Sequence, residues 1–287
     1  MSKLFSSILV PIDLSGNSTL PLGKAIDFAT EYSCNIHLLT VNPISPLLSV
    51  FEPANELAYE EEFNNKQELN YNLQKIAENI RRMSGNKIEA EATVLQGNRD
   101  EVVVSFVRQN KIDLILIGQK GNQLTRRKMK FHPNRIAART GIPVVTIPAN
   151  RRITRLLSLV IPVASGFPLR KIQYAICLAS KFKTRIQLLG IKNASTEKHL
   201  GYFIDEAIRY IKRNSDSLVE WEIVNNGNIA QAVNQFAMLK STDLIIVNPG
   251  TETNMHGYFS GMIGDVIQKF SAPPVMTITP FSQIHYS

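Results

Sequence analysis

The chain has 287 residues, more than the roughly 100 to 200 of a usual single domain, so two domains are expected. Its composition is ordinary for a globular protein, with 44% hydrophobic residues. No apolar run reaches the roughly 20 residues that cross a bilayer, so neither a membrane partner nor a location outside the cytoplasm is expected. The net charge of +8 comes without a basic helical stripe or a known nucleic-acid motif, which argues against nucleic-acid binding.

Strand and helix patterns alternate along the first 150 residues. Short apolar, β-branched runs predict buried strands at 6–13, 35–41, 88–95, 113–118 and 143–148. Apolar residues at helical spacing predict helices between them, at 20–32, 67–84, 99–110 and around 135–140. Strands that alternate with helices pair in parallel through right-handed crossovers. The sequence therefore predicts an α/β, Rossmann-like fold: a five-stranded, parallel, doubly wound sheet flanked by helices.

The second half of the chain repeats the first. At a shift of 150 residues "LVPIDLSGN" lies on "LVIPVASGF" without a gap, and "IHLL" lies on "IQLL". At a shift of 130, "GNRDEVVVSFVRQNKIDLILIG" lies on "GNIAQAVNQFAMLKSTDLIIVN". The change of shift makes the second copy about twenty residues shorter in its middle. We therefore expect two tandem domains of one fold, residues 1–150 and 151–287, the second shorter and degenerate.

Candidate ligand residues follow the first and fourth predicted strands. Sheets of this kind bind ligands beyond the carboxyl ends of the strands, near the point where strand order reverses. Asp13 ends the first strand, where a carboxylate can accept a bond from an amine or ribose hydroxyl, or can equally cap the next helix. Gly118 ends the fourth strand and Gly121 follows three positions later, where glycine lets backbone N–H groups approach a phosphate. Glycine after a strand is also ordinary turn punctuation.

The ordered set "ILVPIDLS", "HLLTV", "GNRDEVVVSFVRQNKIDLILIGQKG" and "GIPVVTIP" resembles the universal stress protein family, and the resemblance extends over both halves. It implies an adenine-nucleotide alpha-hydrolase-like fold, pairing of like domains within the chain or in a homodimer, and a role in survival under stress. In that family an Asp after the first strand contacts adenine, and a loop of pattern G-x2-G-x9-G-[S/T] holds ribose and phosphates. The resemblance thus implies ATP as a cofactor of the first domain, with Asp13, Gly118 and Gly121 as contacts.

The glycine loop is incomplete in the first copy. Where the pattern requires Gly and then Ser or Thr, the sequence has Phe131 and His132, or Lys130 and Phe131 if one residue is deleted. Basic side chains are alternative phosphate partners. The loop supplies four of them, at Arg126, Arg127, Lys128 and Lys130.

The second copy departs further from the family pattern. Val163 or Ala164, depending on the register, stands in place of the Asp. "NPGT", with Gly250, replaces the first glycine pair, and Gly261 is followed by Met262 rather than by Ser or Thr. These glycines predict either an anion site at a helix N-terminus or the retained shape of an ancestral loop.

Three functional hypotheses follow from these patterns. The first is a non-enzymatic stress-response protein with degenerate nucleotide loops, which needs no cofactor and acts through an unidentified protein partner or small ligand. The second is a regulatory module that binds ATP in its first domain only. The third, with the least support, is an adenine-nucleotide hydrolase. The sequence predicts no metal site and no catalytic residue, because its five histidines lack metal-ligand spacing and no nucleophile motif is present.

Overall fold

The structure is a computed structural model that describes residues 4–12, 19–42, 56–118, 131–148, 156–164, 166–192, 198–225, 228–249, 267 and 271–280. Residues 19–21, 24 and 56–65 are described by their backbone only. The chain divides into two compact units, residues 3–132 and 133–287. This division falls before residue 150, the boundary between the two sequence copies. The predicted domains 1–150 and 151–287 follow the sequence repeat and stay a prediction.

The first unit alternates strands and helices in the predicted order. Its elements are β1 (Ser7–Ile12), α1 (Thr19–Tyr32), β2 (Asn35–Asn42), α2 (Glu56–Met83), β3 (Ala90–Gln96), α3 (Arg99–Gln109) and β4 (Leu114–Gly118). The strands lie in the order β3-β2-β1-β4 and all pair in parallel. The chain moves outwards from β1 to β3 and then returns to β4 on the other side of β1. Strand order therefore reverses between β1 and β4.

Apolar side chains fill the interior of the first unit on both sides of its sheet. Ile8 and Leu9 of β1, and Leu114 and Ile115 of β4, are completely buried although successive side chains point to opposite faces. Successive side chains are buried on both faces because helices cover both faces of a parallel sheet. This burial explains why the strands appear in the sequence as continuous apolar runs rather than as alternating apolar and polar residues.

The second unit contains the last helix and strand of the first sequence copy together with the whole second copy. Its elements are α4 (Pro133–Thr140), β5 (Val144–Ile147), β6 (Ser158–Val163), α5 (Leu169–Phe182), β7 (Arg185–Lys192), α6 (Leu200–Asn214), β8 (Val219–Asn225), α7 (Ile229–Leu239), β9 (Leu244–Val247) and β10 (Val275–Thr277). The strand order is β5-β10-β9-β6-β7-β8, with strand order reversing between β6 and β9.

One strand of the second unit runs against the others. β5 pairs with β10 in antiparallel fashion, whereas the described pairs from β10 to β8 are parallel. Threonine hydroxyls bond across this region: Thr146 donates to the carbonyl of Val275 (3.2 Å), and Thr279 donates to the carbonyl of Ala137 (2.7 Å). The α/β fold with a mostly parallel sheet is confirmed, and the antiparallel pair joins the last strand of each sequence copy.

The strand register corrects the gapless alignment of the two copies. Leu9 lies opposite His37 in the first unit, and Val160 lies opposite Gln187 in the second. Since His37 and Gln187 correspond at the shift of 150, Leu9 corresponds to Val160 rather than to Leu159. The second copy therefore has one residue fewer between its first and second strands, and Ala164 is the counterpart of Asp13.

An aspartate at the start of the fourth strand fixes the first strand in both copies. The carboxylate of Asp113 accepts the N–H groups of Ser6 (2.8 Å) and Ser7 (3.1 Å). The carboxylate of Asp243 accepts those of Leu157 (2.9 Å) and Ser158 (3.0 Å). The two aspartates occupy equivalent positions of the repeat. The duplication therefore preserved a bond that sets the register of β1 against β4 and of β6 against β9, where strand order reverses.

We expect Asp243→Ala to lower the free energy of unfolding of the second unit by about 1–3 kcal/mol, because two N–H groups lose a charged acceptor. Trp221, the only tryptophan in the sequence, lies in β8 and reports on this unit. Urea unfolding followed by its fluorescence measures the change. Asp216→Ala, at an exposed loop carboxylate, is the matched control. Equal unfolding midpoints for the two variants would contradict the role of Asp243.

Candidate functional site

The carboxyl ends of the strands form the candidate ligand edge of the first unit. Ile12 ends β1 there, and its carbonyl accepts a bond from the buried hydroxyl of Thr40 (3.3 Å). Gly118 ends β4 and is half-buried. Asp13, which directly follows Ile12, lies outside the described residues, as do Gly121 and the four basic residues Arg126, Arg127, Lys128 and Lys130. Their roles stay predictions.

The start of α3 also lies at this edge and is capped by the repeated Gly-Asn pair. Gly97 has a φ of +143°, a left-handed conformation that L side chains rarely adopt. Asn98 follows as the N-cap, and its side-chain oxygen accepts the N–H groups of Asp100 (3.2 Å) and Glu101 (3.4 Å). Asn228 caps α7 in the same way, through the N–H of Gln231 (3.1 Å). The identity of these residues in the repeat therefore reflects helix capping.

In the alignment without a deletion, Phe131 and His132 stand where the family pattern has Gly and then Ser or Thr, and both are fixed in place. Phe131 is only 7% exposed. The buried carboxylate of Asp100 accepts the backbone N–H of His132 (3.1 Å) and lies 2.7 Å from its Nδ1. The side chain of Asp100 is 5% exposed, whereas that of His132 is 62% exposed. The carboxylate thus orients an imidazole whose outer side faces solvent.

This arrangement joins the end of the strand-four loop to the first turn of α3. His132 directly precedes Pro133, the first residue of α4, where proline is favoured because it has no N–H group to leave unpaired. Sequence reasoning did not single out Asp100. The available signal was its place in the first turn of a helix where the second copy has Ala230, together with a histidine 32 positions further on.

The corresponding edge of the second unit contains a buried lysine. Ala164, the counterpart of Asp13, is buried directly after β6. Lys171, near the start of α5, is only 1% exposed, and its Nζ donates to the carbonyl of Pro162 (2.8 Å). The pairing of β6 with β7 continues to Val163, whereas its described pairing with β9 covers Leu159 and Val160 only. The ammonium therefore lies at the end of β6 beside the point where strand order reverses.

The sequence did not predict the position of Lys171. The equivalent residue at the shift of 150 is Pro21, so the repeat gave no reason to expect a buried charge. Lysine is almost never fully buried without partners, since removing an ammonium from water is costly. Gly250 and Gly261, the predicted second-unit contacts, lie outside the described residues.

Other chemistry is sparse in the part of the chain that the structure describes. These residues contain no group of three potential metal ligands. None of the described helices combines the length and apolarity that a membrane crossing requires. Burial raises the pKa of the Tyr32 hydroxyl and of the Cys177 thiol, so both groups stay protonated and weakly nucleophilic at neutral pH.

The geometry defines a class of protein: a doubly wound α/β chain, a fold in which ligands bind at the carboxyl ends of the strands. The model of the universal stress protein family matches residues 5–148, half of the chain. The chain therefore belongs to the universal stress protein family. No curated protein matches the sequence.

Solved structures share the fold over the full length of the chain. A universal stress protein from Archaeoglobus fulgidus DSM 4304 is 14% identical with a TM-score of 0.69, over 96% of this chain and 98% of that one. A functionally unknown protein from Pseudomonas aeruginosa PAO1 is 16% identical with a TM-score of 0.61, over 97% and 94%. The cytoplasmic domain of a prokaryotic cation chloride cotransporter is 12% identical with a TM-score of 0.51, over 96% and 96%. At these identities the likeness concerns the fold alone.

We expect Asp100 and His132 to stabilise the first unit jointly. Asp100→Ala and His132→Ala should each lower the free energy of unfolding by about 1–3 kcal/mol, and the double variant should lose less than the sum, because either change breaks the same contact. His132→Asn, which keeps a side-chain N–H donor, should recover part of the loss. Urea unfolding followed by circular dichroism measures all four variants. Additive losses would show that the two residues act independently.

Lys171 provides a second comparison. We expect Lys171→Met to unfold within about 1 kcal/mol of the parent protein, since an apolar side chain of similar length avoids the cost of a buried charge. Lys171→Ala should lose about 2–4 kcal/mol, because it also leaves a cavity. Trp221 fluorescence during urea unfolding measures both. If Lys171→Met loses as much as Lys171→Ala, the ammonium bonds rather than the packing hold this edge together.

Proposed function

We propose that this protein is a non-enzymatic, regulatory universal stress protein whose nucleotide loops are degenerate, and that it acts through a protein partner or a small ligand other than ATP. The observation that supports this most directly is the contact between Asp100 and His132. A phosphate loop needs a small residue with a hydroxyl at this point, with room for the phosphate oxygens beside it. The chain instead has a buried Phe131 and an imidazole joined to a buried carboxylate.

The second unit supports the same proposal through a different substitution. The family carboxylate is replaced by the buried Ala164, which has no acceptor for an adenine amine or a ribose hydroxyl. Lys171 places a positive charge at the end of the same strand. The amine of adenine is a hydrogen-bond donor, and an ammonium is a donor only, so the two cannot pair. The exocyclic amine of adenine therefore finds no acceptor in the side chains of Ala164 and Lys171.

A second candidate function is ATP binding by the first unit alone. Gly118 favours it, because it ends β4 at the ligand edge and lacks a side chain that would keep a phosphate away. Asp13 would hold the adenine, Gly121 the phosphates, and the basic run at 126–130 would supply charge in place of the missing hydroxyl. Hydrolysis of the nucleotide is the weakest candidate. It needs a water positioned to attack a phosphate and a group that stabilises the charge developing on that phosphate. Pairing of the two domains, a homodimer and a cytoplasmic location are part of the same proposal.

Calorimetric titration of the purified protein with ATP separates the two candidates. We expect no heat of binding with ATP at millimolar concentration, because the phosphate loop is degenerate. This result would place the Kd above about 1 mM, which corresponds to no more than about 4 kcal/mol of binding free energy. Micromolar binding that disappears in Asp13→Ala would overturn the proposal and establish ATP binding in the first unit.

Restoring the missing groups provides the positive control. Ala164→Asp combined with Lys171→Met returns the carboxylate and removes the charge in the second unit. His132→Ser returns the hydroxyl in the first. Heat of binding in either variant, but not in the parent, would identify these substitutions as the cause of the lost affinity. ADP release from ATP above the buffer rate in the parent protein would contradict its non-enzymatic character.

A further inference from the structure

β8 is the outermost strand of the second unit, and its outer edge faces no described strand. Every second backbone N–H and C=O group of an edge strand points away from the sheet, so such a strand is a template for another. Trp221 is 57% exposed and Ile223 is 41% exposed on this strand. A long edge strand that carries large apolar side chains is unusual in a protein that does not use it, because it promotes pairing with other chains.

The first unit shows how the same edge is protected in the other copy. Its outermost strand is β3, whose pairing with β2 corresponds to that of β8 with β7. The helix that precedes it, α2, has 28 residues, and Gln74 on this helix donates to the carbonyl of Ala92 (3.3 Å) on β3. Ala92 is the counterpart of Trp221 at this pairing position: it lies opposite Leu38 as Trp221 lies opposite Leu188.

The second copy has lost this protection through its shorter middle. α6 has 15 residues where α2 has 28. It crosses the sheet close to Gly190, where an added Cβ would lie 2.6 Å from Ile204 on α6 and 3.0 Å from Ile223 on β8. Side chains alternate along a strand, so Trp221 and Ile223 share the face that α6 covers only in part. The deletion thus coincides with a small Ala replaced by an exposed Trp at the uncovered edge.

Charges on the other face of β8 indicate which partner fits. Glu220 is 3.4 Å from Arg185, and Glu222 is 3.3 Å from Lys240, with nearly half of each glutamate side chain exposed. Consider β8 paired in antiparallel fashion with β8 of a second copy. In the central registers that keep both Trp221 side chains on one face, Glu220 or Glu222 of one copy lies opposite a glutamate of the other. Like charges directly opposite each other destabilise a strand pair, whereas opposite charges stabilise it. A second copy is therefore disfavoured, and a basic neighbour is the better partner because the exposed part of each carboxylate can accept from it as well as from Arg185 or Lys240.

We propose that β8 is a docking edge for an extended segment of a partner protein in which basic and apolar side chains alternate. The segment extends the sheet through backbone hydrogen bonds, its basic side chains lie beside Glu220 and Glu222, and its apolar side chains cover Trp221 and Ile223. This inference rests on the proposed action through a protein partner, but it does not involve the nucleotide loops. Its test is therefore made without nucleotide, and a failure here leaves the ATP titration unaffected.

A fluorescein-labelled peptide of about eight residues with alternating Lys and Val is the probe, since that length matches a typical strand. Its anisotropy should rise to saturation on addition of the full-length protein. The unlabelled peptide should shift the emission of the single tryptophan to shorter wavelengths as Trp221 leaves water. Glu220→Gln with Glu222→Gln should weaken binding about five- to tenfold, the range expected for two partly exposed ion pairs. Glu89→Gln with Glu91→Gln, which removes the same charge directly before and within β3, is the matched control and should leave binding unchanged.

Two further peptides separate strand pairing from simple charge attraction. One has the same charge but two central prolines, which cannot donate hydrogen bonds to a strand. The other alternates Glu and Val. Both should bind at least tenfold more weakly than the Lys and Val peptide. Equal binding of the proline peptide, no shift of the Trp221 emission, or a doubled mass of the protein alone that Trp221→Lys abolishes would each overturn the proposal, the last by identifying a second copy as the occupant.

Discussion

The bond between an aspartate carboxylate and the start of the first strand sets the geometry on which both units depend. Asp113 and Asp243 each accept two backbone N–H groups at the amino end of the strand that also lies at the reversal of strand order. A slip of one residue in a parallel pair would turn every side chain of that strand to the other face. With the register fixed at the amino end, the residue that follows the carboxyl end of the strand is fixed too, as the buried Ala164 shows in the second unit.

The two units keep this frame and differ in what stands at its ligand edge. The first has a carboxylate, Asp100, buried against the end of the strand-four loop and bonded to His132. The second has Ala230 at the position of Asp100, and it carries its buried charge in α5 instead, as the ammonium of Lys171. Each buried charged side chain has a hydrogen-bond partner within its own unit: Asp100 bonds to His132, and Lys171 donates to the carbonyl of Pro162. Buried charge without a partner would be costly, so these edges were remodelled rather than left empty.

The sequence predicted what depends on period and on repetition. Alternating strands and helices follow from apolar spacing, and the structure confirms the α/β fold. The duplication and the shorter second copy follow from residues repeated at two different shifts. Contacts between distant residues were out of reach: Asp100 and His132 are 32 positions apart, and no spacing rule joins them. The gapless alignment was wrong by one residue in the first strand, because apolar runs such as "LVPI" and "LVIPV" match equally well in either register. The antiparallel pairing of β5 with β10 was missed since strand direction in a sheet leaves no local trace in an apolar segment.

The shorter middle of the second copy affects its outermost strand, β8, as well as the candidate ligand edge at the carboxyl ends of its strands. A helix of 28 residues reaches across β3 and bonds to it, whereas one of 15 residues does not protect β8 to the same extent. Under the proposed function the original nucleotide loops are no longer needed, and the shorter helix leaves exposed a strand whose backbone can pair. An exposed edge would be a liability if it paired with copies of itself, and the glutamates at 220 and 222 act against that pairing. The same two charges that keep the edge from self-association make it selective for a basic strand, so protection and recognition follow from one feature of the sequence.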